Sequence, residues 1–256
     1  MANLPRAAEA LWQLARQGVH YPPAWRGRLT VEEGYRVQLD HLARQVRSGD
    51  RHVGWKVGLT APAIRAQVGY HRPVFGFLLA SGEHATGSRF RVADLITPLV
   101  ETELCLTVDR TLRGPGITPA QARQAVSAAA PAFELVERRG DFAADPPLSM
   151  ADNVQQKGFI TGEALHPLPP SLALKTVTVE VFLNGQSVER ASGREVFGDP
   201  AASVAWLANA LAPFGLAVDP GMRIMSGSFT RQYPARPGDR IEARFDPIGT
   251  VAALFE

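Results

Sequence analysis

The sequence has little of several features that would define a class of protein at once. It contains a single cysteine, Cys105, so no disulfide bond can form within the chain. One cysteine in a chain of this length fits a reducing compartment. No apolar stretch is long enough to span a bilayer, and residues 1–25 lack the continuous apolar segment of a signal peptide. We therefore expect a cytoplasmic protein.

Strong net charge and the common catalytic motifs are also absent. A formal net charge of +2 gives no support for a nucleic-acid or anionic-membrane partner. There is no Gly-x-Ser-x-Gly elbow and no glycine-rich phosphate loop, which argues against nucleophilic hydrolysis and nucleotide binding. The six histidines are scattered without the spacing of metal ligands, and we assign them no role.

Lysine is rare, with three residues (Lys56, Lys157 and Lys175) against 24 arginines. A codon bias toward arginine is the simplest cause, but a lysine that persists can mark a site where only a titratable amine will serve. Lys56 stands in the apolar stretch GWKVGLT. Two interpretations are open: a lysine that extends to solvent from a strand end, or an acid/base group close to carboxylates.

The pattern of apolar residues predicts an N-terminal helical part (1–75) followed by a β-rich core (76–256) within one α+β unit. Thr30 and Glu33 form a predicted capping box, and an Asn-Gly turn at 184–185 predicts a hairpin. The predicted helices cover residues 5–17, 30–48, a short segment after Thr60, 118–129 and 199–215. The predicted strands cover residues 99–108, 129–138, 175–189, 222–230 and 239–255.

The segment PLVETELCLTV (98–108) carries two glutamates, Glu101 and Glu103, in a β-prone run. Residues i and i+2 of a strand point to the same face, so the two carboxylates share a face with Cys105. A solvated face would hold them at little cost. If the face is covered, they need a compensating cation.

A third carboxylate, Glu134, lies in the apolar run PAFELVE. Alone it would be read as a charge at a strand edge. Together, three carboxylates without histidine or cysteine ligands suit a hard divalent ion such as Mg²⁺ or Mn²⁺, and they do not suit zinc.

The chain resembles the 2-keto-4-pentenoate hydratase family of the fumarylacetoacetate hydrolase superfamily over residues 30–256. The resemblance rests on blocks that occur in the family's order: GWKVGLT, PVFGFL, PLVETELCL, PAFELVE, ADNVQQKGFITG, FGDPAASVAWLANAL, PGMRIMSGSFT and PGDRIEARFDPIGTV. It implies a mixed β-roll fold with Mg²⁺ or Mn²⁺ held by Glu101, Glu103 and Glu134. It also implies homo-oligomers and a role in the catabolism of aromatic or related compounds.

The same resemblance implies a catalytic Lys56 and contacts to a small 2-oxoacid substrate from Leu59, Val74, Asn153 and Ser226. At Leu59 the family offers backbone N–H groups to the substrate carboxylate. The implied reaction adds water to a 2-hydroxy-2,4-dienoate or 2-oxo-enoate and gives a 4-hydroxy-2-oxoacid.

One departure from the family pattern leaves alternatives open. Many hydratases of the family carry an aspartate at the position of Val74, and PVFGF is closer to the decarboxylase branch. A 4-oxalocrotonate-type decarboxylase is therefore the second hypothesis, and a metal-binding partner subunit with weak catalysis is the third. The ADN block continues as VQQKG, so Gln155, Gln156 and Lys157 are expected to reshape the pocket. An NDWSARD-like block is absent, which makes C–C hydrolysis a poor fit.

Overall fold

Within residues 3–256 the chain forms six α-helices and thirteen strands. The computed structural model describes these residues and all their side chains except those of residues 62, 63 and 67. The helices are α1 (Leu4–Arg16), α2 (Val31–Arg47), α3 (Pro62–Val68), α4 (Pro119–Ala125), α5 (Pro146–Ala151) and α6 (Pro200–Leu211). The strands are β1 (His52–Gly58), β2 (Val74–Leu79), β3 (Glu83–Ala85), β4 (Ser88–Phe90), β5 (Pro98–Val108), β6 (Val126–Glu137), β7 (Gln156–Thr161), β8 (Thr178–Leu183), β9 (Gln186–Ser192), β10 (Arg223–Met225), β11 (Tyr233–Pro234), β12 (Arg240–Asp246) and β13 (Gly249–Phe255). The α+β prediction is confirmed.

The helix starts follow the capping residues in the sequence. Thr30 accepts a hydrogen bond from the backbone N–H of Glu33, whose side chain accepts from the N–H of Thr30, which is the predicted capping box. Thr118 and Asp199, the first residues of the helices predicted over 118–129 and 199–215, are the N-caps of α4 and α6, and their side chains accept from the N–H groups of Gln121 and Ala201. Such caps satisfy N–H groups that the first helical turn leaves without partners.

The helix predicted over residues 118–129 is too long, because α4 ends at Ala125. Val126 is already extended, and from there the chain pairs with β5, where Val126 lies opposite Val108. Residues 126–129 are small or β-branched and can adopt either a helical or an extended conformation. Pairing with the long strand β5 therefore decides that they form a strand.

The larger sheet has the strand order β2-β1-β10-β5-β6-β7-β3, with β11 paired to the N-terminal part of β5. The smaller sheet has the order β4-β13-β12-β8-β9. The turn at Asn184 and Gly185 joins β8 to β9 with both residues at positive φ, as the Asn-Gly signal predicts. A common core of buried side chains joins the two sheets and α6.

The strand predicted over residues 222–230 is only partly present, since β10 covers Arg223–Met225. At Gly227 the backbone turns with φ of 105°. A Cβ there would lie 2.4 Å from the hydroxyl oxygen of Thr60, so only glycine fits. The chain beyond still bonds to β5 through the N–H of Phe229 and the carbonyl of Thr102, at 2.8 Å.

The helices α1, α2 and α5 share a second apolar cluster that includes Ala8, Leu11, Val37 and Leu148. Strand β2 runs across residue 75 and pairs with β1 in the larger sheet. How the chain divides into an N-terminal part (1–75) and a core (76–256) stays a prediction. Over residues 3–256, no helix combines the length and apolar character needed to cross a membrane.

Candidate metal centre and its cavity

Three glutamates from two neighbouring strands meet on one face of the larger sheet. Glu101 on β5 lies directly opposite Glu134 on β6, and Glu103 lies opposite Ala132. Each of the three carboxylates offers an oxygen within 4.8 Å of the others. Glu103 and Glu134 have no exposed surface, and Glu101 is 9% exposed. The solvated-face interpretation of this pair is therefore excluded.

The carboxylates have few hydrogen-bond donors of their own. The N–H of Gly227 donates to Oε2 of Glu103 at 2.7 Å, and the side-chain amide of Gln232 donates to Oε1 of Glu101 at 2.5 Å. Among the residues described, Oε1 of Glu103 and both oxygens of Glu134 are buried without a hydrogen-bond donor. Buried carboxylates in this state are costly unless a cation compensates them.

Lys56 supplies one cation to this cluster. Its Nζ lies 3.1 Å from Oε1 of Glu134, off the direction of a hydrogen bond, so the contact is an ion pair. The same amine donates a hydrogen bond to the carbonyl of Val154 at 3.2 Å. The Lys56 side chain is only 5% exposed, which excludes the interpretation of a lysine that extends to solvent.

The position of Lys56 follows from its strand and from the glycines around it. Strand β1 lies between β2 and β10, with Lys56 opposite Gly76 and Met225. A Cβ at Gly76 would lie 3.2 Å from Cε of Lys56 and 2.8 Å from the amide oxygen of Asn153. The missing side chain of Gly76 therefore leaves the slot in which the lysine stem lies.

Burial and mutual repulsion shift the acidity of the cluster. Burial, and then the charges of Glu134 and Glu101, raise the pKa of Glu103 well above its ordinary value. Burial also raises the pKa of Glu134, with Glu101 adding to the rise and Lys56 opposing it. One lysine thus does not balance three carboxylates. An all-oxygen donor set with unpartnered buried oxygens fits a hard divalent cation such as Mg²⁺ or Mn²⁺.

A cavity of about 590 Å³ opens beside the cluster. Four of the residues predicted to act in catalysis or to bind metal or substrate line its wall: Lys56, Leu59, Val74 and Glu101. Leu59 has a φ of 57°, so the chain turns sharply just after β1. Val74 has no exposed surface.

Two predicted substrate contacts are not among the residues that line this cavity. The side-chain amide of Asn153 is occupied by the backbone of Phe77, from which it accepts at 2.8 Å and to which it donates at 3.0 Å. Ser226 is fully buried next to Gly227, and its N–H donates to the carbonyl of Leu104 at 3.0 Å. Contacts from these two residues to substrate stay predictions.

Gln232 and Arg138, which were not predicted from the sequence, line the cavity as well. Gln232 follows an irregular segment, and no spacing in the sequence points to it. Arg138 lies four residues after Glu134, so strand alternation alone would have placed it on the same face. Of Gln155, Gln156 and Lys157, only Gln155 lines the cavity.

Comparisons with known proteins show which family the chain belongs to. The family model Fumarylacetoacetate (FAA) hydrolase C-terminal matches residues 71–255, and the chain belongs to this family. It is 35% identical over 230 residues to a 2-hydroxyhexa-2,4-dienoate hydratase of Comamonas testosteroni, which covers 89% of this chain and 87% of the relative. It is also 35% identical over 228 residues to a 4-oxalocrotonate decarboxylase of Pseudomonas sp. (strain CF600), with 89% and 86% covered.

A solved structure is similar over nearly the whole chain. It is the 4-oxalocrotonate decarboxylase from Pseudomonas putida G7, complexed with magnesium and adipate. The two share 32% identity and a TM-score of 0.90, over 99% of this chain and 97% of that chain. The predicted fold, the mixed β-roll of the fumarylacetoacetate hydrolase type, is confirmed.

Proposed function

We propose that this protein is a metal-dependent hydratase. It adds water to a 2-hydroxy-2,4-dienoate, or to the corresponding 2-oxo-enoate, and gives a 4-hydroxy-2-oxoacid. The observation that carries the proposal is the buried set of three carboxylates with a buried lysine at the wall of one cavity. Relatives named as hydratases of such acids, at 35% identity and below, support it.

Glu101, Glu103 and Glu134 would hold Mg²⁺ or Mn²⁺ through their carboxylate oxygens. When bound, such a cation supplies Lewis-acid polarisation of the carboxylate and 2-oxo oxygens of a 2-oxoacid. One oxygen of Glu103 and one of Glu101 are held by hydrogen bonds from Gly227 and Gln232, so these two ligands are oriented before any ion arrives. Oriented ligands of this kind lower the cost of assembling the site.

Lys56 has the surroundings of a proton carrier. Its amine lies in the cavity wall between the Glu134 carboxylate and the Val154 carbonyl, where a carboxylate within hydrogen-bond distance can accept or return a proton. We propose that it moves the proton between the oxygen and carbon ends of the conjugated system. The sharp turn at Leu59 would direct a backbone N–H to the substrate carboxylate.

Three further properties belong to the same proposal. The homo-oligomeric state rests on the resemblance described above. A cytoplasmic location fits the single cysteine, Cys105, which is buried and free. A role in the catabolism of aromatic or related compounds follows from the substrates in the names of the hydratase relatives.

A 4-oxalocrotonate-type decarboxylase is the second candidate, and one observation favours it. Val74 is fully buried and belongs to the cavity wall. Because its side chain is apolar, this position offers no carboxylate to activate water. The decarboxylase relatives are as similar in sequence as the hydratases. The two reactions share the polarised 2-oxoacid and differ in whether water is added or CO₂ is lost.

Parallel assays of the two reactions test the proposal. The protein is given Mg²⁺ with either a 2-hydroxy-2,4-dienoate or a 2-oxo-3-enedioate, and the loss of conjugated absorbance and the release of CO₂ are both recorded. A hydratase consumes the dienoate without releasing CO₂. Release of CO₂ from the enedioate without hydration would establish the decarboxylase instead, and no turnover of either would favour a metal-binding partner subunit.

A further inference from the structure

The face of the sheet that carries the carboxylates continues toward the cavity mouth as a row of alternating residues. Glu101 lies opposite Glu134, and the next pair on the same face is Leu99 opposite Val136. Of these four residues, Glu101, Leu99 and Val136 line the cavity. Arg138, two residues after Val136, lines it as well. The N–H of Arg138 donates to the carbonyl of Thr97 at 3.3 Å, so the pairing continues past the end of β6.

The row therefore changes in character along the cavity. It begins with carboxylates suited to a cation, passes an apolar pair, and ends at a guanidinium. Successive residues of a strand rise about 3.3 Å, so Glu134 and Arg138 are roughly 13 Å apart along the row.

The two arginines at this end of the cavity differ in their partners. Arg139 is engaged, with Asp152 at 2.7 Å and Glu137 at 3.0 Å. Among residues 3–256, no carboxylate oxygen outside the masked side chains lies within 4.0 Å of the guanidinium of Arg138, whose side chain is exposed. Asp141 also lines the cavity, but its Oδ1 accepts from the N–H groups of Ala143 and Ala144. Arg138 is thus a charge still available to a ligand.

We infer that the substrate is a dioate whose distal carboxylate is bound by Arg138, an inference that rests on the proposed function. An extended six- or seven-carbon dioate spans about 6 to 8 Å between its carboxyl groups. One metal–oxygen contact of about 2 Å at the carboxylate end and one charged hydrogen bond of about 3 Å at Arg138 account for the remaining distance between Glu134 and Arg138. The Leu99–Val136 pair then packs against the apolar middle of the chain.

A matched pair of unreactive ligands isolates the distal carboxylate. 2-Oxoadipate and 2-oxohexanoate have the same six-carbon 2-oxoacid, and only the first has a second carboxylate. Their affinities for the protein are measured by calorimetry in the presence of Mg²⁺. The wild type should bind 2-oxoadipate about tenfold more tightly, which is the worth of one hydrogen bond between charged groups. Arg138→Gln should bring the ratio of the two affinities close to one, and Arg138→Lys should keep part of the preference.

Arg113→Gln is the control, because Arg113 is an exposed arginine that does not line the cavity. It should keep the wild-type ratio. A wild-type ratio near one, or an unchanged ratio in Arg138→Gln, overturns the inference while leaving the proposed function in place. Failure of both acids to bind in the presence of Mg²⁺ overturns the proposed function and the inference together.

Discussion

Lys56 holds its amine in the cavity wall, against a carboxylate and a carbonyl, with 5% of its side chain exposed. The slot exists because Gly76 has no side chain. A guanidinium is wider than an ammonium and does not give up its proton at accessible pH. Lysine is thus suited to this position both by shape and by its ability to titrate.

Lys56→Arg should keep the fold and lower kcat by roughly 10²- to 10⁴-fold, the usual worth of an acid/base group. The measurement is steady-state turnover of a 2-hydroxy-2,4-dienoate with Mg²⁺, with circular dichroism to confirm folding. Lys175→Arg, at an exposed position, is the control and should match the wild type. A loss below tenfold in Lys56→Arg would reduce this lysine to an electrostatic neighbour.

Val74 lies close to the same amine. A Cβ built on Gly58 would lie 3.2 Å from Cγ2 of Val74 and 3.6 Å from Nζ of Lys56, so the two side chains flank one point. Val74→Asp would put a fourth carboxylate beside Lys56, in competition with Glu134. We expect lower thermal stability and no gain in hydration, because the proposed proton carrier is Lys56 and a buried charge is costly.

Hydration rates and melting temperatures of the wild type, Val74→Asp and the uncharged Val74→Asn test this expectation, with CO₂ recorded in parallel. A rise in hydration of tenfold or more in Val74→Asp alone would show that water addition needs a carboxylate at this position. The wild type would then be better described as a decarboxylase.

Among the secondary-structure elements, those with local signals were predictable from the sequence. The capping residues gave the starts of α2, α4 and α6, and the Asn-Gly pair gave the β8–β9 hairpin. Strand β7 was missed, because QKGFIT is short and its residues become a strand only through pairing with β6 and β3. Long-range pairing also decided the end of α4.

The turn over residues 153–155 is an element that no sequence rule indicated. Three consecutive residues, Asn153, Val154 and Gln155, have φ of 52°, 52° and 62°, a conformation that is unfavourable for a β-branched residue such as valine. The Asn153 amide holds one end of the turn to Phe77. The Gln155 amide holds the other, through hydrogen bonds to Tyr21 and Gly140. The turn presents the Val154 carbonyl to Lys56.

Asn153→Ala should lower the free energy of unfolding by about 1 to 3 kcal/mol, since the buried N–H and carbonyl of Phe77 lose their partners. It should also lower kcat by on the order of 10- to 10²-fold, because the Val154 carbonyl no longer fixes Lys56. Denaturant unfolding and steady-state turnover measure the two effects.

Asn209→Ala is a matched control, since the Asn209 amide holds the backbone of Ile117 with two hydrogen bonds of 2.9 Å in the same way, on α6 and away from the cavity. It should lose similar stability and keep its kcat. Equal turnover by the two variants, at a temperature where both are folded, would mean that the 153–155 turn does not position Lys56.

On the scale of the whole molecule, the site is assembled by the order of strands in the larger sheet. Lys56 comes from β1, the glutamates come from β5 and β6, and Gly227 comes from the segment after β10. The identities of the site residues were readable from the sequence through the resemblance to a known family, because the residue pattern alone left open a solvated face for the glutamates and a solvent-exposed Lys56. Their spacing in space was not, since β1 and β10 become neighbours only in the folded sheet.

The divalent-cation site proposed at Glu101, Glu103 and Glu134 underlies the whole mechanism. Its most direct test is hydration of a 2-hydroxy-2,4-dienoate by the wild type and by Glu103→Gln, before chelation, after exhaustive chelation, and after Mg²⁺ is restored. We predict that the wild type loses activity on chelation and recovers it with Mg²⁺. Glu103→Gln removes one ligand without adding bulk, and it should stay folded but inactive in all three conditions. Activity that survives both the substitution and the chelation would contradict the proposed site.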